Sequence, residues 1–386
     1  MIPYGRQDIT QADIDAVVDV LQSDFLTQGP KVPQFENAVA RKVGAKHAVA
    51  VNSATSALHI ACEALGLKQG DWLWTTPVTF VASSNCGRYC GANIDFVDID
   101  PRTYNLCPRE LETKLVEAER EGKLPKVLVA VHLCGQPCDM QKIHALSQRF
   151  GFKIIEDACH AIGGKYQDQY IGNCRFSDIT VFSFHPVKII TTAEGGMALT
   201  NDPILAEKMS LLRSHGVTRD SHLMSREPEG AWYYEQIQLG YNYRMTELQA
   251  ALGIEQLKRL ADYICQRHVL VKRYSDLLDE QPLILPWQSE DSYSAYHLFV
   301  VKINSEKSGK SRRDVFNALR KAGIGVNVHY IPIYKQPYYQ QFHYSETMCP
   351  NAENYYRHAI TLPLYPTLTE VEQVKIVDVF KEILDS

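Results

Sequence analysis

Two hydrophobic periods alternate along the first 200 residues. Short apolar runs occur at 48–51 (AVAV), 72–74 (WLW), 93–99, 126–133 (KVLVAVHL), 152–155 (FKII) and 179–184 (ITVFSF). Their length and β-branched content predict buried strands. The nearly unbroken 126–133 run is what a strand covered on both faces requires. Segments with apolar residues three and four apart lie between them and predict helices. The first begins after Thr10, with Asp13 in capping-box position, and places Ile14, Val17, Val18 and Leu21 on its inner face. A Gly29-Pro30 break follows. A second helix starts near Pro33, buries Phe35, Val39 and Val43, and ends at Gly44. Further helices are expected from 54 to about 65, from Pro108 (Leu111 and Leu115 inward), from 139 to 150 (Met140, Ile143 and Leu146 inward) and after Asp202-Pro203.

Strand alternating with helix predicts an α/β fold: a mixed, mostly parallel sheet sandwiched by helices. In such sheets ligands bind beyond the carboxyl ends of the strands. After residue 246 the pattern changes. Thr246 and Gln249 form a capping box. Leu248, Leu252, Leu257, Leu260 and Ile264 supply the stripe of one long helix, or two in series, reaching about 280. A strand at 296–303, a helix capped by Ser311, a short strand or loop at 327–330 and a last helix carrying Val371, Val374 and Val377 complete the chain. We expect a large domain over 1–250 and a smaller α+β domain over 251–386, with the helices of 10–44 packing near the smaller one.

Composition narrows the function classes. With 386 residues there is room for a large core. A net charge of −5 does not suit a nucleic-acid binder. No apolar run approaches a membrane span, and the first residues lack a signal-peptide pattern, so a cytoplasmic protein is expected. The ten cysteines form no dense framework and are read as reduced thiols. Cys86/Cys90 and Cys134/Cys138 lack the spacing of zinc knuckles, so no metal site is expected.

The chemistry concentrates at the strand ends. Lys188 follows the 179–184 strand, and a lysine in an apolar pocket has a lowered pKa and a nucleophilic amine. An exposed loop lysine is the plainer reading of that residue taken alone. Asn52 to Ser56 lie between a strand and a helix and suit a phosphate, or simply cap the helix. Asp157 ends an apolar strand, where a carboxylate orients a histidine, binds a cation, pairs with a protonated ring nitrogen or caps a helix. Phe80 is a stacking plate or core, and Ser183 a second phosphate donor. Amine, carboxylate, phosphate cradle and aromatic plate together are the set that pyridoxal phosphate needs.

On the stretches NSATSALH (52–59), TTPVTFVASSN (75–85), EDACHAIGG (156–164), FSFHPVKIITTAEGGM (182–197) and LGYNYRMTELQAALG (239–253), the chain resembles the DegT/DnrJ/EryC1/StrS sugar-nucleotide aminotransferases over essentially its whole length. The resemblance implies the fold-type I architecture of aspartate aminotransferase and pyridoxal 5'-phosphate as cofactor. It implies Lys188 as the Schiff-base lysine and proton shuttle, and Asp157 as partner of the pyridine nitrogen. His160 matches the position near the ring hydroxyl and Phe80 the stacking position. Ser53, Ala54, Thr55 and Ser183 match the phosphate site, and Asn242 would reach the phosphate from the neighbouring subunit of a homodimer. Tyr4, the loop Asp24, Phe25, Leu26 and Thr27, and Asn327, Val328, His329 and Tyr330 match segments lining the sugar-nucleotide pocket. The phrases FHPVK, VHLCGQPCDM and WYYEQIQLGYNYRMTELQ resemble the branch of the family serving pseudaminic acid biosynthesis. The implied reaction moves an amino group from L-glutamate to a UDP-linked 4-keto-6-deoxy-N-acetylhexosamine. Relatives that dehydrate carry histidine in place of the lysine, so Lys188 argues for transamination. Ala193 departs from the family, where glycine is frequent.

Overall fold

The structure, a computed structural model, describes residues 1–345 and 347–385. Local chemistry sets the helix boundaries. The Asp13 carboxylate accepts the Thr10 backbone N–H (2.8 Å) and so starts α1 (Gln11–Leu21). Gly44, at φ +85°, ends α2 (Lys31–Val43) in the left-handed conformation that glycine adopts without cost. Ser53 caps α3 (Ala54–Ala64) by accepting the Ser56 N–H. Then follow α4 (Ala82–Tyr89), α5 (Pro108–Glu121), α6 (Met140–Phe150), capped by Asp139, and α7 (Pro203–Leu212), capped by Asp202.

Seven strands form the central sheet: β1 (His47–Val51), β2 (Trp72–Thr75), β3 (Asn93–Phe96), β4 (Val127–Val131), β5 (Lys153–Asp157), β6 (Ile179–Ser183) and β7 (Gly196–Thr200). Their order is β1-β7-β6-β5-β4-β2-β3, and β7 alone runs against the others. The strand β4 shows why its sequence is apolar throughout. Leu128 and Ala130 enter the core beneath α2, α5 and α6, whereas Val127, Val129 and Val131 enter the core beneath α3, α4 and α7. Six of the seven strands therefore end at one edge of the sheet.

The region after 246 holds two helices in series, α8 (Glu247–Lys258) and α9 (Leu260–Leu278), parted at Arg259. A three-stranded antiparallel sheet follows: β8 (Leu283–Ile284), β9 (Phe299–Ile303) and β10 (Ala359–Leu362). The helix α9 serves two cores. Leu260, Tyr263 and Ile264 pack in the core of the large sheet. Leu270, Val271, Tyr274 and Leu278 pack under the small sheet, together with α10 (Arg312–Lys321) and α11 (Glu370–Asp385).

Three helices present faces other than those their apolar stripes predict. In α1, Asp13 and Val20 are buried, whereas Ile14, Val18 and Leu21 are 40–58% exposed. The reason is polar: the Asp13 carboxylate binds Arg259 Nη2 (2.6 Å) and Gln256 Nε2 (3.2 Å) and turns α1 onto α8. In α8, Ala250, Ala251, Gly253 and Gln256 face inward, and Leu248 and Leu252 are only half-buried. A Cβ on Gly253 would lie 2.6 Å from Phe35 Cζ, so a small residue there is what lets α2 approach. In α11, Gln373, Ile376, Val377, Phe380 and Leu384 are buried, and Val371 and Val374 are exposed. Gln373 donates to the Leu270 carbonyl (2.7 Å), which rotates the helix away from the predicted face. No described helix is long and apolar enough to cross a membrane.

Candidate active site

The carboxyl edge of the large sheet opens into a cavity of about 660 Å³. The strand β1 delivers Ser53, Ala54 and Thr55 to it at the start of α3. The turn after β2 delivers Phe80, the end of β5 delivers Asp157 and His160, and β6 with its following loop delivers Ser183 and Lys188. Tyr4 and Asn327, Val328, His329 and Tyr330 form the opposite wall. Residues far apart in the chain thus converge because parallel strands end together.

The cradle at α3 depends on one glycine. Gly196, which opens β7, pairs with Val51, and a Cβ there would sit 2.5 Å from Ala54 N and from Ser53 C and O. Only glycine admits so close an approach of the two backbones. Ser53 Oγ accepts from the Ser56 N–H (3.1 Å), which leaves the Ala54 and Thr55 N–H groups at the positive end of the helix dipole without intrahelical acceptors. Ala193, where glycine was noted as frequent, stands at φ +65°, which accounts for that frequency.

The side chain of Asp157 is held from two sides. Ser83 Oγ donates to Oδ2 (2.6 Å) and the Cys159 N–H donates to Oδ1 (3.2 Å). Thr79 Oγ1 lies 2.8 Å behind Ser83 Oγ and continues the chain of hydroxyls. The neighbouring Glu156 points to the other face of the sheet and receives His132 Nε2 (2.8 Å). Because the Cys138 N–H donates to His132 Nδ1, the ring proton is on Nε2, which donates to Glu156.

Burial lowers the pKa of Lys188, against the opposite pull of Cys159 and the Asp157 carboxylate. Three imidazoles surround this amine, and all are driven toward the neutral form. Burial and then the charge of Lys188 push His160 well below its usual value and His329 down to about 3. Burial, His160 and Lys188 do the same to His297. The hydrogen bonding of His160 agrees: the Cys134 N–H donates to Nδ1 (3.3 Å), so the proton on Nε2 faces Tyr330 Oη (3.3 Å).

Thirteen sequence-predicted residues line this one cavity: Tyr4, Ser53, Ala54, Thr55, Phe80, Asp157, His160, Ser183, Lys188, Asn327, Val328, His329 and Tyr330. Phe80 is 58% exposed, its ring open to the cavity and 6.3 Å from that of Tyr330. Asn242 and the loop Asp24, Phe25, Leu26 and Thr27 do not line it. The loop is exposed and anchored at the start of α8, where the Glu247 N–H donates to the Leu26 carbonyl (3.1 Å). Asn242 is exposed and its carbonyl accepts from Asn52 Nδ2 (3.4 Å). Sequence reasoning missed Ser83, Cys159, His185, Glu194, His297 and Gln336. Four of these had a signal, since Ser83, Cys159, His185 and Glu194 lie inside motif stretches, whereas His297 and Gln336 do not.

The residues present fit pyridoxal phosphate. The cradle that a Cβ at position 196 would fill offers free N–H groups to a phosphate. The buried His297 Nδ1 lacks any hydrogen-bond partner in the protein. An amine and a fixed carboxylate share the same cavity.

Comparison with known proteins agrees with this arrangement. Residues 7–381 match the model of the DegT/DnrJ/EryC1/StrS aminotransferase family. The spore coat polysaccharide biosynthesis protein SpsC of Bacillus subtilis is 40% identical, over 99% of this chain and 97% of the relative. A UDP-4-amino-4,6-dideoxy-N-acetyl-beta-L-altrosamine transaminase of Campylobacter jejuni is 35% identical, over 100% and 98%. Among solved structures, Helicobacter pylori PseC, an aminotransferase involved in the biosynthesis of pseudoaminic acid, superposes with a TM-score of 0.91 at 30% identity, covering 100% of this chain and 99% of that one. Fold, cavity and full-length similarity agree: the chain belongs to the DegT/DnrJ/EryC1/StrS aminotransferase family and is a pyridoxal phosphate-dependent sugar aminotransferase.

Proposed function

We propose that the chain transfers the amino group of L-glutamate to C4 of UDP-2-acetamido-2,6-dideoxy-β-L-arabino-hex-4-ulose. The products are UDP-4-amino-4,6-dideoxy-N-acetyl-β-L-altrosamine and 2-oxoglutarate, a step of pseudaminic acid biosynthesis. The observation that carries the transamination is the joint placement of Lys188 and Asp157 in the cavity beyond the strand ends. The names borne by the Campylobacter and Helicobacter relatives support the sugar. The relative from Bacillus, at higher identity, bears the name of a spore-coat polysaccharide pathway, and this favours a second reading: a different nucleotide-linked 4-keto sugar.

Bound pyridoxal phosphate supplies an electron sink for the carbon that loses or gains the amino group. The protein's own groups do the rest. The Lys188 amine holds the cofactor covalently between turnovers and, once free, carries the proton at the reacting carbon. Its lowered pKa suits it to both tasks. Asp157 keeps a proton on the ring nitrogen, and Ser83 and the Cys159 N–H fix its direction. Phe80 would stack on the ring, and His160, held neutral, would donate to its hydroxyl. Ser53, Ala54, Thr55 and Ser183 hold the phosphate. Tyr4 and Asn327 to Tyr330 bind the sugar nucleotide, whose UDP contributes binding away from the reacting carbon.

The reading includes a homodimer. Ile14, Val18 and Leu21 of α1, Phe25 and Leu26, and Trp232 and Leu239 are exposed apolar side chains that a second copy would cover. In the dimer, Asn242 of each copy reaches the phosphate in the other, and the 24–27 loop contributes to a nucleotide pocket. The test is to offer glutamate and a panel of UDP-, dTDP- and GDP-linked 4-keto sugars and to identify the amino product. Amination of the β-L-arabino UDP sugar in preference to the others supports the proposal, and preference for another sugar moves the assignment to the second reading.

A further inference from the structure

Three metal-binding side chains meet outside the cavity, between α3 and α4, and transamination uses none of them. His59 and Glu63 stand one turn apart on α3, and Cys90 follows the last residue of α4. One ligand atom of each lies within 4.8 Å of the other two. Among the described residues this is the one such group of three. The sequence spacing of the cysteines did not reveal it, because the donors come from two helices and only one is a thiol.

The imidazole is the informative member. His59 is 95% buried, at 5% exposure, and its Nε2 makes no hydrogen bond. Glu63 Oε1 is 3.3 Å from that nitrogen, but out of line with its N–H direction. The pair thus stands at ion-pair distance without an aligned hydrogen bond, and Cys90 Sγ completes the group. The other ring nitrogen is occupied, since Nδ1 lies 3.2 Å from Tyr243 Oη. The carboxylate is braced in the same way: Tyr241 Oη donates to Glu63 Oε1 (2.6 Å). Tyr241 and Tyr243 stack on each other, with centroids 4.8 Å apart. A ligating histidine whose second nitrogen is fixed by a hydrogen bond, beside a carboxylate that is itself hydrogen-bonded, is how protein metal sites orient their ligands.

We propose that His59 Nε2, Glu63 and Cys90 Sγ bind one Zn²⁺ per chain, with water as the fourth ligand. Nitrogen, oxygen and thiolate sulfur in a four-coordinate arrangement are the donors zinc accepts, and the soft thiolate disfavours magnesium and calcium. Ligand atoms of a tetrahedral zinc site lie about 3.3–3.8 Å apart, so side-chain rotations of about 1 Å close the site. The metal would tie the middle of α3, whose first turn lines the active-site cavity, to α4 and to the 241–243 segment. Its role is bracing, and the reacting atoms remain in the cavity.

The test uses the purified holoenzyme after dialysis against chelator. Co²⁺ is titrated as the spectroscopic probe and Zn²⁺ as the competitor, with wild type beside Cys90→Ser, Glu63→Gln and Tyr243→Phe. The expected result is one Co²⁺ per chain with a thiolate-to-cobalt band, displaced by one equivalent of Zn²⁺. Cys90→Ser should lose the band. Tyr243→Phe should keep it but bind about 10–100-fold more weakly, Glu63→Gln, which loses a ligand, should bind more weakly still, and both give the readout if Cys90→Ser does not fold. Absence of stoichiometric Co²⁺ in the wild type, a band that survives in Cys90→Ser, or unchanged affinity in both Glu63→Gln and Tyr243→Phe would overturn the proposal.

Discussion

The two hydrogen bonds to Asp157 bring Ser83 into the mechanism. Removing the Ser83 hydroxyl takes away one of the donors that aim the carboxylate, and a hydrogen bond to a charged group is worth about 1.5–3 kcal/mol. Ser83→Ala should therefore slow the half-reaction with glutamate about tenfold or more. The loss should fall on kcat with KM little changed, and Ser83→Thr should recover part of it. Single-turnover absorbance of the bound cofactor reads this directly. His329 makes a different prediction. Its folded pKa of about 3 lies below the 6.5 of an unfolded histidine, so the unfolded chain takes up the proton first as pH falls. Stability from this residue is whole above 6.5 and is lost on the way down toward 3, at about 1.4 kcal/mol per pH unit. Urea titrations of wild type and His329→Gln should show the gap between them shrinking, then reversing, over that window. A gap constant with pH would contradict it.

At the scale of elements, the close contact of β7 with the start of α3 is the joint on which the phosphate cradle rests. Gly196→Ala has to displace backbone, because the atoms it would meet belong to Ser53 and Ala54. We expect a loss of cofactor affinity larger than the loss of fold stability, measured by cofactor titration and thermal unfolding of the same samples. Asp13 is the corresponding joint for α1. Asp13→Ala strands the charge of Arg259 and should cost about 2–4 kcal/mol in unfolding free energy, since it breaks a largely buried ion pair. These joints also show what could be read in advance. The motif residues Lys188, Asp157 and Ser53 stood out because polar groups at the ends of apolar strands have few structural reasons to be there. His297 and Gln336 did not, because they arrive from segments more than 100 residues downstream, where the predicted strand at 296–303 gave no sign that its His297 faces the cavity. The inner face of α1 was misread for a physical reason. Periodicity finds the apolar stripe, Ile14, Val18 and Leu21, but Asp13 and its partners decide which side meets the rest of the chain.

That stripe matters for the whole molecule. Ile14, Val18 and Leu21 of α1, with Phe25, Leu26, Trp232 and Leu239, are exposed, and the proposed dimer gives them a surface to meet. Sedimentation should give twice the chain mass. On the proposed dimer, Leu21→Lys combined with Leu239→Lys should shift the protein to monomers that lose transamination, because the proposed contribution of Asn242 from the second copy is then withdrawn. Retention of full activity by the monomer would remove the shared site. The strand-and-helix order of the large sheet was readable from periodicity. The packing of α9 across two cores was not, because both halves of that helix are equally apolar. The account as a whole stands on which amine carries the cofactor. Borohydride reduction of the holoenzyme followed by peptide mass mapping locates it: the account predicts a pyridoxyl group on Lys188, and a label on another lysine, or none, would contradict it.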